Sequence, residues 1–436
     1  MDIETINHHL SLGEIDIKGL FPHLDALQDL PFTFTIDFGL KELPQEPGIL
    51  LVRGARQYGK STWLETQIYE TIKQFGPGTA YYVNGDYIAD NEQLEQILMA
   101  LLSSFASVSK VRRIFIDEIT AIPLWEQALK RLADRGDLKH ILVVTTGSKA
   151  RDLRRGAERL PGRKGKLART TYLFTPISYK EFKRVCGKKL QEKCLLAYLL
   201  SGGSPIACTE LVQHGTIPEY VIELVRDWVE GEIAASGRVR TSMLNIMSVL
   251  FRLGCTPIGQ SLLAREAGLA NNTVAAGYME LFNDLACILP AFAWDQDRNI
   301  GILRKPCKFH FTNILVAIAY HPARIRSIDD FLALSTHDQA MFYEWAVAQE
   351  LVRRKAVVGQ EALDPLYFWK NSKHELDFVE APKEYIEVKR GQSSPLEFAW
   401  VNKQLPKSSV QVVCTTAFQT ETVTGVTLEE FLLARE

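Results

Sequence analysis

The chain has 436 residues, 46% of them apolar, enough for about three domains with cores of their own. Lys and Arg number 50 against 52 Asp and Glu, a net charge of -2, which excludes a globally basic nucleic-acid binder and leaves room only for a local basic patch. The 7 cysteines form no C-x-x-C pair, which speaks against a disulfide framework or a cysteine zinc site and for reduced thiols in a cytoplasmic protein. The first residues, MDIETINHHLSLGEID, carry no apolar signal core. No apolar run reaches the roughly 18 residues of a membrane-spanning helix.

Residues 1–46 read as a small N-terminal extension that packs on the domain beginning at the first core strand, with Leu20, Phe21, Leu24 and Leu27 as its apolar positions. The run Ile49-Leu50-Leu51-Val52 is patterned as a buried parallel strand. It leads into Gly54-Ala55-Arg56-Gln57-Tyr58-Gly59-Lys60-Ser61, a G-x-x-x-x-G-K-[ST] phosphate loop, with Thr62 next. Gly54 and Gly59 let the backbone curl so that its amides point at phosphate oxygens. Lys60 supplies charge to the β and γ phosphates, and Ser61 offers a hydroxyl to Mg²⁺. Leu64, Ile68, Ile72 and Phe75 recur at helical spacing behind the loop, so a helix points its positive end at the same anion. Residues Gly54 to Thr62 are the expected ATP-binding residues.

Strands and helices alternate from residue 48, the pattern of a parallel sheet covered on both faces. Residues 79–84 form a second strand and 91–105 a helix. Residues 111–118 run apolar into Asp117-Glu118. Asp117 at a strand end is placed to hold Mg²⁺, and Glu118 to act as general base on the attacking water. Residues 140–148 form the next strand and end in hydroxyls; Thr146 or Ser148 can sense the γ-phosphate, or simply cap the next helix. Lys149–Arg169 is rich in basic residues, with Gly and Pro in its middle. It reads as a solvated face, a patch for nucleic-acid phosphate, or an arginine finger, with Arg163 the candidate.

Together RGARQYGKSTWL, IFIDEIT, TTGSKARDLRRGAERLPGRKGK and TPISYKEF resemble the AAA-type ATPases of archaea and bacteria that carry a C-terminal restriction-endonuclease-like domain. The resemblance runs from about residue 48 to the C-terminus. It implies an α/β fold: a P-loop AAA-type parallel sheet core at 47–177, a helical lid at 178–237, a winged helix-turn-helix at 238–322 and an α/β nuclease-like domain at 323–436. In the expected lid, Gly202-Gly203-Ser204-Pro205 interrupts apolar helical runs.

The expected winged helix has helices at 246–252, 258–267 and 272–284, and strands at 287–292 and 300–304 as its wing. Its third helix carries Glu280 and Asp284 but no Lys or Arg, which favours a packing module over a reader of base edges. Relatives usually have Asp where this chain has Asn313; both cap a helix well.

Residues 367–370, 375–379 and 385–389 are patterned as strands. Alternation puts Glu387 and Lys389 on one face, and turns Asp377 away from Leu376 and Phe378. Asp…Glu-x-Lys is the pattern of the PD-(D/E)xK nucleases. Asp377 and Glu387 then hold Mg²⁺, Lys389 steadies the charge of phosphodiester cleavage, and Glu344 on the preceding helix completes the site. The same spacing also fits two amphipathic strands with solvated outer faces. The sequence thus predicts a Mg²⁺-dependent ATPase whose nucleotide state gates a nuclease-like or nucleic-acid-binding domain. The alternative is an ATP-controlled protein-interaction or DNA-binding switch with an inactive nuclease-like fold. Beyond ATP, the partners these readings name are DNA, a protein partner or further copies of the chain; neither reading calls for a membrane.

Overall fold

A computed structural model of the chain describes residues 1–106, 109–148, 162 and 165–434. These fall into two compact units, Met1–Thr33 with Asp37–Thr175, and Phe34–Ile36 with Pro176–Glu436.

The first unit is built on a five-stranded parallel sheet of β1 (Gly48–Arg53), β2 (Ala80–Asn84), β3 (Arg113–Asp117), β4 (Leu142–Gly147) and β5 (Thr171–Leu173), in the order β2-β3-β4-β1-β5. Every residue of β1, β3 and β4 is buried, which is why these strands read as continuous apolar runs rather than alternating ones. Helices α1 (Ile3–Leu12), α2 (Pro22–Gln28), α3 (Lys60–Phe75), α4 (Asn91–Ser104) and α5 (Trp125–Arg135) accompany the sheet. Ile49, Leu51, Tyr81, Val83, Ile114, Ile116 and Val143 share one core cluster with Leu94 and Leu98 of α4 and Leu129 and Leu132 of α5. Their period of two along each strand identifies the covered face. Asp90 starts α4 by accepting the amides of Glu92 and Gln93, and Gly136 ends α5 in a left-handed conformation.

The N-terminal extension is tied to this sheet. The Asn7 side chain exchanges two hydrogen bonds with the Tyr82 backbone, at 2.8 and 2.7 Å. Buried Arg113 donates to Thr71 Oγ1 and to the carbonyls of Leu43 and Pro44, which anchors the segment entering β1. Residues 32–36, where Phe32, Phe34 and Ile36 alternate with threonines, form no strand.

The second unit begins with helices α6 (Tyr179–Leu190), α7 (Cys194–Ser201), α8 (Pro205–His214) and α9 (Glu219–Ala235). Helices α10 (Arg240–Leu253), α11 (Gln260–Glu266) and α12 (Asn272–Asp284) come next, and then the hairpin of β6 (Ile288–Asp295) and β7 (Ile300–Ile302). The first of these three helices begins before Ile246, at Arg240, and its added turns bring Met243 into the core. The chain continues through β8 (Lys308–Phe311), α13 (Ile314–Tyr320), α14 (Ile328–Leu332) and α15 (Thr336–Val358), with the Asn313 side chain capping α13 through the Val316 amide.

Two sheets then meet in sequence. β9 (Leu366–Lys370) and β10 (Glu375–Leu376) join β6, β7 and β8 in one sheet, so strands on either side of the expected boundary at 322 pair directly. The other sheet is β11-β12-β13-β15-β14, from β11 (Phe378–Ala381), β12 (Glu384–Val388), β13 (Ser409–Val413), β14 (Phe418–Gln419) and β15 (Val423–Val426). Short helix α16 (Val401–Gln404) precedes β13, and α17 (Leu428–Leu433) succeeds β15.

Candidate functional site

In the first unit the strand order sets the chemistry. β4 lies between β1 and β3, so its polar C-terminal end stands between the phosphate loop and Asp117-Glu118. Lys60 is the first residue of α3, and Gly59 before it has φ 97°, a left-handed turn that a side chain would strain. The Lys60 ammonium is buried and donates to the carbonyls of Gly54 and Ala55, at 3.0 and 2.9 Å. Burial pulls its pKa below the ordinary lysine value, and the nearby Glu118 and Asp117 charges oppose that pull.

The two acids at the end of β3 are held by different residues of β4 and its continuation. The Thr146 hydroxyl donates to the Asp117 carboxylate and accepts the Glu118 amide. Glu118 has φ 47° and turns its carboxylate onto Ser148, accepting from the Ser148 amide at 3.1 Å and hydroxyl at 3.0 Å. Arg56 of the loop donates to the same Ser148 hydroxyl at 3.4 Å. Gly85 lets the exit of β2 pass this corner, since a Cβ there would lie 2.3 Å from the Glu118 carbonyl oxygen. Thr146 therefore holds the Asp117 carboxylate and Ser148 the Glu118 carboxylate, a division the sequence leaves open.

One group near this site carries no signal in the sequence. Glu65, one turn into α3 from Ser61, accepts the His23 and Leu24 amides and the His23 imidazole, which it meets at 2.6 Å. The Glu65 carboxylate raises the His23 pKa above its ordinary value, against the effect of burial, and Asp117 adds to the rise. The link joins α2 to α3 across about 40 residues, a distance that no local pattern spans. Arg163 and most of the basic stretch 149–169 lie outside the described residues.

In the second unit, the strand running from residue 375 to 381 leaves one sheet and enters another. Glu375 and Leu376 pair with β9, while Phe378 onward pairs with β12. Asp377 sits at the crossing rather than inside a strand. Its Oδ2 accepts the Val388 amide at 2.9 Å, taking over where the ladder is interrupted. Its Oδ1 meets the ammonium of Lys308 at 2.7 Å. That ammonium, 2% exposed, also contacts Glu375 at 2.7 Å and Glu344 at 3.4 Å. His310, two residues on along β8, bonds Glu344 through Nε2 at 2.7 Å. Lys389 lies 3.4 Å from Glu387 and 3.8 Å from Glu397.

Burial works against the Lys308 charge, but Asp377, Glu344 and Glu375 outweigh it and hold its pKa well above the ordinary lysine value. Burial likewise pushes Glu344 and Glu375 up, yet Lys308 above all keeps both below the usual carboxylate range. Asp377 and Glu387 go the other way. Burial raises both; Glu344 adds to the rise at Asp377, and Asp377 adds to it at Glu387. The Glu387 Oε2 atom is buried without a hydrogen-bond partner. A hard cation is the group that fits such a pair: one orphaned carboxylate oxygen beside a second carboxylate that resists ionising alone.

The structure thus brings Glu344, Asp377, Glu387 and Lys389 into one region and adds Lys308, Glu375 and His310. The added residues on β8 do have a signal. Lys308-Phe309-His310-Phe311 alternates, so Lys308 and His310 share a face of β8, and all four are buried. A lysine on a strand buried on both faces needs an acidic partner.

Removing the crowding should stabilise the fold. Glu387 is raised in the folded chain, so its contribution to stability is lost as pH climbs from the unfolded carboxylate value through the folded one. Glu387→Gln is therefore expected to gain about 1 kcal/mol at neutral pH, with less gain near pH 4, read by thermal melts across pH. A variant less stable than the parent at pH 7 and equal to it at pH 4 would contradict this reading.

Residues 46–183 match the family model described as "AAA domain". An uncharacterized protein of Methanocaldococcus jannaschii is 24% identical over 277 residues, an alignment that spans 57% of this chain and 57% of that relative. The Walker-type ATPase of Pyrococcus abyssi aligns at 14% identity over 70% of this chain and 96% of its own, with a TM-score of 0.43. A RuvB variant of Thermotoga maritima aligns at 16% identity over 55% of this chain and 81% of its own, with a TM-score of 0.31. Among the described residues no helix is long and apolar enough to cross a membrane. The segment 46–183 thus combines a match to the AAA domain model with a parallel sheet, a phosphate loop and an acidic strand end.

Proposed function

We propose that the chain is a Mg²⁺-dependent ATPase whose nucleotide state controls a C-terminal nuclease-like site. The observation that carries the ATPase half is Glu118, held by Ser148 beside the phosphate loop. On ATP binding, the Lys60 ammonium exchanges the Gly54 and Ala55 carbonyls for phosphate oxygens. Ser61 and Asp117 would be the hard oxygen donors that hold Mg²⁺, with Thr146 fixing Asp117. Mg²⁺ held there would supply positive charge against the phosphate oxygens. Glu118, released from Ser148, takes the proton of the attacking water. Arg163 is kept as the candidate finger on its sequence position alone. The helices at 178–237 serve as the lid in this reading, and α10 to β7 as a winged-helix-like module. Asn271 already spends its side chain capping α12, and Arg252 and Arg265 are paired with Glu266, which suits packing better than base reading.

For the C-terminal site, the orphaned buried oxygen of Glu387 supports a metal held with Asp377. Glu344 and Lys389 flank it, and DNA is the proposed substrate. A second reading, an ATP-controlled switch that does not cut, draws on Lys308, which already neutralises much of the acidic cluster. Plasmid and branched DNA with Mg²⁺ or Mn²⁺ separate the two. Cutting by the parent that is lost in Asp377→Ala and in Lys389→Ala is the expected result. Cutting that survives both changes removes the proposed site, and no cutting by the parent favours the switch.

A further inference from the structure

Lys308 is the charge most deeply enclosed in the C-terminal cluster, and the nuclease pattern has no place for it. We propose that the Lys308 ammonium is a resident cation filling one of two cation positions in this cluster. The site then takes a single divalent ion, between Asp377 and Glu387. This rests on reading the cluster as a metal site and specifies how many ions it holds.

The three hydrogens of the ammonium are matched by three carboxylates: Asp377 and Glu375 at 2.7 Å and Glu344 at 3.4 Å. An ion bridging Asp377 Oδ1 and Glu344 Oε1 needs the space where the nitrogen sits, since a Mg²⁺–oxygen bond is only about 2.0–2.1 Å long. The ammonium has no easy way out. The side chain is 2% exposed, its strand is paired with β6, and its nitrogen lies 5.6 Å from the centre of the Phe368 ring. Two of the surrounding acids are committed elsewhere as well. Glu344 also bonds His310, and the second oxygen of Glu375 pairs with Lys370 at 2.7 Å.

Capacity remains on the other side of the cluster. Asp377 Oδ2 accepts one bond, from the Val388 amide, and each carboxylate oxygen has two lone pairs. Glu387 Oε2 has its full capacity unused. Asp377 is thereby split between a permanent cation on one oxygen and an exchangeable one on the other. Lys308 is a positioning residue in this arrangement: it holds Asp377 and Glu344 in place and supplies, without dissociating, the positive charge a second metal would bring.

The test counts ions. The full chain carrying Asp117→Asn, to silence the phosphate-loop site, is titrated with Mn²⁺ without nucleotide, by calorimetry and by the loss of the free-ion resonance signal. One ion per chain is expected, and none after Glu387→Gln is added. Adding Lys308→Met instead is expected to give two ions and a melting temperature that recovers as Mn²⁺ is added, because the ion replaces the lost ammonium. Two ions with Lys308 intact overturn the proposal and leave the metal-site reading standing. No ion in any of these proteins overturns both. Should Lys308→Met fold too poorly to titrate, the count with Lys308 intact decides alone.

Discussion

Glu118→Gln is expected to lower the rate of ATP hydrolysis by about 10²–10⁴-fold while leaving MgATP affinity within about threefold of the parent. The amide keeps the size of the carboxylate and can still accept from the Ser148 amide and hydroxyl, so the corner at the end of β3 stays as it is. What disappears is the capacity to take a proton from water. Nothing in the phosphate loop depends on that capacity, since Lys60 rests on its own loop carbonyls and Asp117 on Thr146. Single-turnover phosphate release together with calorimetry separates the two quantities. A rate equal to that of the parent would remove Glu118 from the chemistry. A large loss of affinity would mean that the substitution had disturbed the loop rather than the base.

Lys308→Met is expected to cost about 3–5 kcal/mol of stability at neutral pH, the largest structural effect of any single change considered. Methionine fills much of the same volume, so the loss comes from charge. Glu344, Glu375 and Asp377 would be left enclosed without their shared cation. The pH dependence carries the signature. Glu344 and Glu375 have lowered pKa values in the fold, so the stability they contribute is present above the unfolded carboxylate value and lost as pH falls through the folded one. The gap between parent and variant should therefore narrow as pH falls below the usual carboxylate range, through the lowered folded values of these two groups. Denaturant melts at pH 7 and at an acid pH below the usual carboxylate range measure it. An equal gap at both values would point to packing, and no gap at either would mean that the ammonium is not a partner of these acids.

The two candidate sites are legible in the sequence to different degrees. The phosphate loop is a local motif: a short run of consecutive residues, framed by an apolar strand and a helical repeat, carries both its geometry and its chemistry. Asp117 and Glu118 are legible for the same reason, since they end an apolar strand one unit later. The partners of those acids are only half legible. Hydroxyls at the end of β4 are visible, but which of Thr146 and Ser148 meets which acid depends on β4 lying between β1 and β3, a fact of sheet order.

The C-terminal cluster shows the opposite case. Asp377, Glu387 and Lys389 lie close in sequence and can be found by spacing. Lys308 reaches Asp377 from β8 through the pairing of that strand with β6, and of β6 with β9, across about 70 residues that spacing does not bridge. Alternation throughout 375–379 places Asp377 within a strand. Its place at the crossing of two sheets comes instead from which neighbour each half of that segment pairs with.

The most direct measurement is calorimetric titration of the full chain with MgATP, beside the same titration of Lys60→Ala. A triphosphate seated in the curl between β1 and α3 requires one site per chain in the parent and a loss of affinity of at least about tenfold in the variant. Equal binding by the two proteins, or none by the parent, would contradict the account.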